Sequence, residues 1–390
     1  MSADRHPLTQ LLAAAAALGI GAPALAQTAA DTELRYRISD YDEDRLSTPP
    51  ADGSAERYQV SKQQFQLARP VGDRDRIKIG LTREVMSGSS PWFNVPGPGG
   101  RPQAIMSGAT IHDERQEVSL AWTRTGEAGR ASTLSASWSG EDDYRALALG
   151  AEREQRLSQA LTLGYGFSYS LDHIDPSDAE LFGRVSDERK RTASAFASLA
   201  WVLDRDSAIQ YGLQLTQSNG YLSDPYKLYY AGGPTLPDAR PEQRTQGAAL
   251  VRYRQAFVDR NAALHLDARW VQDSWGLRSQ TLEVSWYQSL PRDWKLIPTL
   301  RHYSQNSARF YAPYSRTRAE VERFHSSDYR LSAYGAWSAG FELRKSWAPV
   351  ELVIGMDRYR ADHGGWSGSD DDPGLVSYTQ VHAGFDYRFD

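Results

Sequence analysis

The segment Leu161-Thr-Leu-Gly-Tyr-Gly-Phe-Ser-Tyr-Ser-Leu171 alternates without interruption: every odd position is large and apolar or aromatic, every even one small or hydroxylated. A strand with one face on hydrocarbon and the other on a polar space reads this way, because successive side chains point to opposite faces. A helix would scatter the two classes around its circumference. The unit recurs in Ile209, Tyr211, Leu213 and Leu215 against Gln210, Gly212, Gln214 and Thr216, and in Leu264, Leu266, Ala268 and Trp270 against His265, Asp267 and Arg269. Strands greasy on one side and wet on the other can cross a bilayer only as a closed ring, in which every backbone polar group finds a neighbouring strand.

The connections support that architecture. Short turns rich in Asp, Asn, Gly and Pro stand at Gly72-Asp-Arg-Asp75, Thr125-Gly-Glu-Ala-Gly-Arg130, Glu154-Gln-Arg-Leu-Ser158, Asp204-Arg-Asp-Ser207, Val258-Asp-Arg-Asn261, Pro291-Arg-Asp-Trp294 and Ala348-Pro349. These residues supply the backbone angles and local hydrogen bonds that close tight turns. Long segments rich in Gly, Pro, Ser and Asp fall at 87–113, 172–190, 220–244, 308–333 and 362–375. Between them the pattern predicts strands over 33–45, 57–69, 76–86, 114–124, 131–141, 144–154, 160–171 and 191–203. The second half predicts 208–219, 245–257, 262–274, 278–290, 295–307, 334–347, 350–361 and 376–389. The expectation is an all-β, transmembrane, antiparallel up-and-down barrel of about 16 strands, with short periplasmic turns, long outer loops and both termini in the periplasm.

A mean hydropathy of -0.58 ordinarily describes a water-soluble chain. It does not argue against a barrel, since a membrane strand needs only about 10 residues and only alternate ones meet lipid. The aromatic count, 21 Tyr and 11 Trp, fits the girdles of such a barrel. Residues 1–26 read as a cleavable secretory signal of a Gram-negative cell: Arg5 and His6, an apolar run from Leu8 to Ile20, then Ala24-Leu25-Ala26. Residues 27–390 form one barrel domain destined for the outer membrane. The absence of Cys excludes disulfides and thiolate metal sites. A net charge of -5 with scattered Lys and Arg excludes nucleic acid as a natural partner. The row Val381, Ala383, Phe385, Tyr387 and Phe389 resembles the terminal strand recognised by the barrel-assembly machinery, although Asp390 follows the aromatic that usually ends it.

The same alternation assigns an interior. Arg35 and Arg37, Glu117, Arg252 and Arg254, His265, Asp267 and Arg269, Glu283, and Arg301 are expected to line the lumen. Glu342 and Arg344, Asp357, His382, Asp386 and Arg388 complete the set. Both signs are present in comparable number, as suits either a selective pore lining or a wall braced by ion pairs. The sequence Met86-Ser87-Gly88-Ser89-Ser90-Pro91-Trp92, echoed by Met106-Ser107-Gly108, is a candidate constriction loop that folds into the barrel. Met86 and Met106 with His112 also form a soft-ligand set suited to Cu(I), against the plainer reading of packing residues. Tyr226, Tyr229, Tyr230, Tyr311 and Tyr314 suit an interfacial girdle better than a ligand-stacking role, and Asp370-Asp-Asp372 reads as a hydrated run.

No G-x-S-x-G, H-E-x-x-H or phosphate-binding Gly loop is present, and no cofactor is expected. His173 and His363, each beside an Asp, are the candidates for a rim hydrolase, but each reads better as a solvated loop histidine. Ser87-Gly-Ser-Ser-Pro91, Met106-Ser-Gly-Ala-Thr110, Arg115-Gln-Glu-Val-Ser-Leu120, Tyr36-Arg-Ile-Ser-Asp-Tyr41 and Ser327-Asp-Tyr-Arg-Leu-Ser332 resemble the domain of unknown function 3570 family of outer-membrane proteins. The likeness covers nearly the whole mature chain, with Ser89 where the family motif has Ala. It implies a barrel and brings no substrate or catalytic residue. It also implies a small periplasmic lipoprotein or redox protein as a partner, beside outer-membrane lipid. The expected function is therefore a porin-like channel or translocation conduit rather than an enzyme. The alternative is a structural sheath or docking platform for the periplasmic partner.

Overall fold

In a computed structural model of the chain, residues 31–107, 111–362 and 370–389 are described. The expected signal, residues 1–26, lies outside them, as do Gly108, His363 and Asp390. The strands in chain order are β1 (Thr32–Glu43), β2 (Gln59–Val71), β3 (Asp75–Gly88), β4 (Pro91–Pro96), β5 (Pro102–Met106), β6 (Ile111–Thr125) and β7 (Arg130–Gly140). They continue with β8 (Tyr144–Arg156), β9 (Leu161–Ile174), β10 (Glu188–Val202), β11 (Ser207–Gly220), β12 (Leu228–Tyr230), β13 (Thr235–Pro237) and β14 (Gln243–Phe257). The last six are β15 (Ala262–Asp273), β16 (Arg278–Leu290), β17 (Trp294–Gln305), β18 (Tyr334–Trp347), β19 (Val350–Asp362) and β20 (Ser377–Phe389).

Sixteen of these close into one antiparallel barrel, and β4–β5 and β12–β13 form two separate hairpins in the loops. Each barrel strand corresponds to one expected from the alternation, displaced by a few residues at its ends. The ring closes where β1 pairs with β20, from Thr32↔Phe389 to Glu43↔Tyr378. The aromatic row of the last strand thereby lies outward beside Leu34, Tyr36 and Ile38.

Register fixes which face is which. Because the side-chain period is two, one unbroken pairing per strand pair carries the facing assignment around the whole ring. On one face stand Leu120, Leu134, Leu149, Phe167, Leu213 and Ile354, all exposed although large and apolar. That face is the lipid-contacting exterior, since water would not tolerate a belt of this extent. The opposite face is polar on every strand and looks inward. Strands about 4.8 Å apart and tilted by roughly 40° close a ring of this number about 30 Å across.

The two ends differ. At the end where β1 begins and β20 finishes, the connections are short: 72–74, 126–129, 157–160, 203–206, 258–261, 291–293 and 348–349. At the other end lie the longer segments 44–58, 89–110, 175–187, 221–242, 306–333 and 363–376, together with two short connections, 141–143 and 274–277.

Candidate functional site

The inner face divides into two unlike arcs. From β14 around through β20 to β1 it is a ladder of charged residues. Arg254 and Arg252 face Asp267, the latter at 3.4 Å. Arg301 pairs with Glu283 at 2.5 Å. Arg344 pairs with Glu342 at 2.5 Å and Glu351 at 3.3 Å. His382 Nε2 stands 3.3 Å from Glu342. Arg37 reaches Asp386 at 2.6 Å, and Arg35 lies 3.8 Å from the same carboxylate. On β6, Glu117 takes Arg115 at 2.5 Å. Arg388 lies 3.8 Å from Glu33, and His265 stacks on Tyr287 with ring centroids 4.1 Å apart. Asp357 faces Gly340, where a Cβ would collide with its carboxylate. Gly384 does the same for Arg37, whose chain lies across the space a Cβ would fill.

Arg269 differs from its neighbours. Its register partners are Leu250 and Thr281, and its Nε has no hydrogen-bond partner among the described residues. Among the described residues, no carboxylate contacts this guanidinium on the inner wall.

The second arc, β7 to β11, carries mostly short side chains: Thr133, Ser135 and Ser137, then Ala146, Ala148 and Gly150, then Gly164, Gly166, Ser168 and Ser170. Ser194 and Thr216 share a hydrogen bond of 2.9 Å, and Thr192 and Ser218 one of 3.1 Å. Two large rings point inward here: Phe196 rests over Gly166, where a Cβ would lie 2.5 Å from it, and Tyr144 at the loop end of β8 donates to Asp172 at 2.5 Å. Short hydroxylated side chains on neighbouring strands hydrogen-bond one another along this wall.

The long loops meet over the mouth. The candidate constriction loop forms the hairpin β4–β5, whose base is closed between Ser90 and Ser107, with Pro91 paired to Met106. Ser107 N donates to Ser90 O at 3.0 Å, and Ser90 N donates to Ser107 Oγ at 3.2 Å. Gly88 has φ of 128°, and a Cβ there would lie 2.2 Å from Arg57 O, so only glycine fits where the chain leaves β3. Ser89 Oγ donates to Glu56 O at 2.5 Å. Trp92 packs edge-on against Phe93. Met106 is buried against Leu46 and Ala104, while Met86 stands on the wall between Val60 and Asp113 and Ser87 pairs with His112. Met106 is therefore a packing residue, and the copper-ligand reading loses its support.

Lys227, between β11 and β14, donates to Pro91 O of this hairpin. Six strands separate the two loops along the ring, so that contact crosses the opening. Around it is a buried ionic cluster. Asp328 accepts from Arg240 at 2.8 Å and from Arg330 Nε at 2.8 Å. Arg240 also donates to Asp238 at 2.6 Å, and Arg330 to Asp224 at 2.7 Å. The flanking guanidiniums hold the Asp328 carboxyl well below the usual carboxylate range despite its complete burial. Asp372 accepts from Tyr311 OH at 2.5 Å and Gly374 N at 2.7 Å, with Asn94 Nδ2 at 3.5 Å.

Two expectations are corrected here. Asp372 is buried rather than hydrated. The loop tyrosines are struts rather than a girdle: Tyr226 donates to Asp143, Tyr229 shares a hydrogen bond with Ser315, and Tyr314 donates to Gly100 O at 2.5 Å. Tyr230 adds a backbone bond, its O accepting from Ser315 N at 3.0 Å. His173 remains a half-exposed residue 3.6 Å from Asp187. The charged members of this cap, Lys227, Asp224, Asp238, Arg240, Asp328 and Arg330, were not singled out as functional, because loops have no periodicity that separates a buried charge from a hydrated one. The one usable signal was Ser327-Asp-Tyr-Arg-Leu-Ser332, picked out for its family likeness, which contains Asp328 and Arg330.

Burial pushes Asp372 up to about 6, against the opposing effects of its Tyr311 and Gly374 hydrogen bonds. A carboxyl raised on burial binds its proton more tightly in the folded cap than in the unfolded loop, so its contribution to stability falls as pH rises from about 4 to about 6. Asp328 stays ionised throughout that window, and Tyr311 stays protonated. The loops are expected to resist limited proteolysis better at pH 5 than at pH 7.5, and Asp372→Asn should flatten the difference. Equal cleavage rates of the native protein at both values would refute this.

A family model described as "Protein of unknown function (DUF3570)" matches residues 9–386. No curated protein matches this chain in sequence. Among solved structures, a bacterial polysaccharide outer membrane secretin is similar with TM-score 0.50 and 9% identity, over 92% of this chain and 98% of that one. OccK11 (OpdR) of Pseudomonas aeruginosa has TM-score 0.42 and 10% identity, over 92% and 95% of the two chains. The likeness to the secretin, at such identity, speaks to the fold alone, which is that of an outer-membrane barrel.

Proposed function

This chain belongs to the family of proteins of unknown function DUF3570, and from that premise and the geometry of wall and cap we propose that it is a porin-like outer-membrane channel for small hydrophilic solutes, restricted at its outer mouth. The observation that carries the reading is the division of the inner face. A barrel braced only for strength needs no arc of Ser, Thr, Ala and Gly, whereas an aqueous path needs such a wall opposite its charges. The path runs along β7 to β11, with the ladder of β14 to β1 setting a field across it. The wall residues from Arg35 to Arg388 act here as its lining, and the β4–β5 hairpin with its braces narrows the entrance.

Refolded protein in a planar bilayer is expected to give discrete single-channel currents. Correctly folded barrel that passes no current under any condition would rule the channel reading out. Arg269 supplies a positive charge that no contacting carboxylate among the described residues offsets. Arg269→Glu is accordingly expected to move the zero-current potential in a KCl gradient toward cation preference, with conductance changed less than twofold. An unchanged potential would remove this residue from the path.

A further inference from the structure

Arginine has little reason to stand on the lipid face of a membrane strand except at headgroup depth. On β6 the outward row runs Val118, Leu120, Trp122 and then Arg124. On β7 it runs Trp138, Ala136, Leu134, Ser132 and Arg130, and on β8 Leu147, Leu149, Ala151 and Arg153. The rows of β6 and β8 turn from apolar to guanidinium opposite Ser132, and that of β7 one pleat further, toward the end with the short turns, where β1 begins and β20 finishes. Arg74, in the turn 72–74, joins them. Together they line a concavity of about 520 Å³ with Trp122 and Leu134 at its upper wall.

The local acids do not neutralise it. Glu127 stands 3.8 Å from Arg74, both being exposed, and Asp75 is engaged by Trp122 Nε1 at 2.9 Å. Among the described residues, Arg153 reaches Ser132 Oγ alone, at 3.4 Å. Arg124 and Arg130 are exposed and have no side-chain partner among the described residues. Four guanidiniums beside two carboxylates, Glu127 and the Asp75 that lies opposite Arg124 in the register, keep a net positive charge until an anion joins them, and the guanidinium fork matches a phosphodiester in geometry and charge. The apolar upper wall, Trp122 and Leu134, continues into the lipid belt, so the anion that fits carries acyl chains.

We propose that this concavity is a binding site for an anionic phospholipid of the periplasm-facing leaflet, with its phosphate among Arg124, Arg130 and Arg153 and its chains against Trp122 and Leu134. The site depends on membrane insertion and not on the channel being open, so a silent channel would leave it standing.

The test uses the full mature protein, released from nanodiscs containing phosphatidylcholine and phosphatidylglycerol, with retained lipid counted by native mass spectrometry. The native protein is expected to keep phosphatidylglycerol over phosphatidylcholine. The double variant Arg124→Gln/Arg130→Gln should lose about tenfold or more of that preference, each basic side chain near a membrane surface contributing on the order of a fivefold factor. A control at other short turns, Arg205→Gln/Arg292→Gln, should keep it, and heat-modifiable migration on a detergent gel checks that each variant folds. Lack of preference in the native protein, or its survival in the double variant, overturns the proposal. Full displacement of phosphatidylglycerol by inorganic phosphate at matched concentration would also overturn it, since that marks a simple anion site.

Discussion

Asp328→Asn is expected to release the cap and raise single-channel conductance several-fold. Asp328 is fully buried and is the shared acceptor of Arg240 and Arg330. Neutralising it leaves two guanidiniums in a water-poor site with one carboxylate each, Asp238 and Asp224. Removing one partner of a buried ionic cluster costs about 3–5 kcal/mol, most of it the penalty of the charge left behind. The loops bear that loss rather than the barrel, because the wall strands pair through their own backbone ladder. Faster cleavage of segments 221–242 and 306–333 should accompany the larger current, with heat-modifiable migration unchanged. If the loops are cleaved readily and the conductance stays at the native value, the cap is not what limits passage.

Leu213→Arg should impair insertion as strongly, through the opposite face. Leu213 stands outward near the middle of β11 and is 66% exposed, the most exposed of the large apolar residues on the barrel strands. An arginine at midplane on the lipid face costs about 2–4 kcal/mol, whereas an inward substitution meets water. Folding into lipid vesicles, followed by denaturant titration, is expected to show this loss for Leu213→Arg. Ser168→Arg, on the inner face of β9, should show little. A loss at Ser168→Arg with little at Leu213→Arg would mean that the inside and outside of the barrel have been exchanged, and equal losses would remove the distinction between the two faces.

That contrast shows why the fold was legible from the chain. The alternation at Leu161–Leu171 states a local physical fact, hydrocarbon on one side and water on the other, and each strand carries its own copy. Turn residues such as Asp259, Arg260 and Asn261 mark where the pattern stops. The facing of Arg254, Asp267, Glu283 and Arg301 follows from parity alone. Their pairing required the register, because Asp267 has Arg252 directly opposite and Arg254 one pleat away, and both reach it.

The cap was not legible, for a reason of the same kind. Whether Asp372 is hydrated or buried depends on Tyr311, Asn94 and Gly374, which come from three different loops. Lys227 reaches Pro91 over 136 residues of chain and across the opening. Nothing near Lys227 in the sequence signals that contact, and Tyr226 and Tyr229 look like any interfacial aromatics until their hydroxyl partners are known. The sequence by itself determined the ring, its strand count and its two faces, because membrane and lumen impose a period of two on every strand separately. Only the tertiary structure decided how the mouth is closed, which inner charges neutralise each other and where guanidiniums gather on the outer wall. Those depend on distances between segments remote in the chain, and no local period records them.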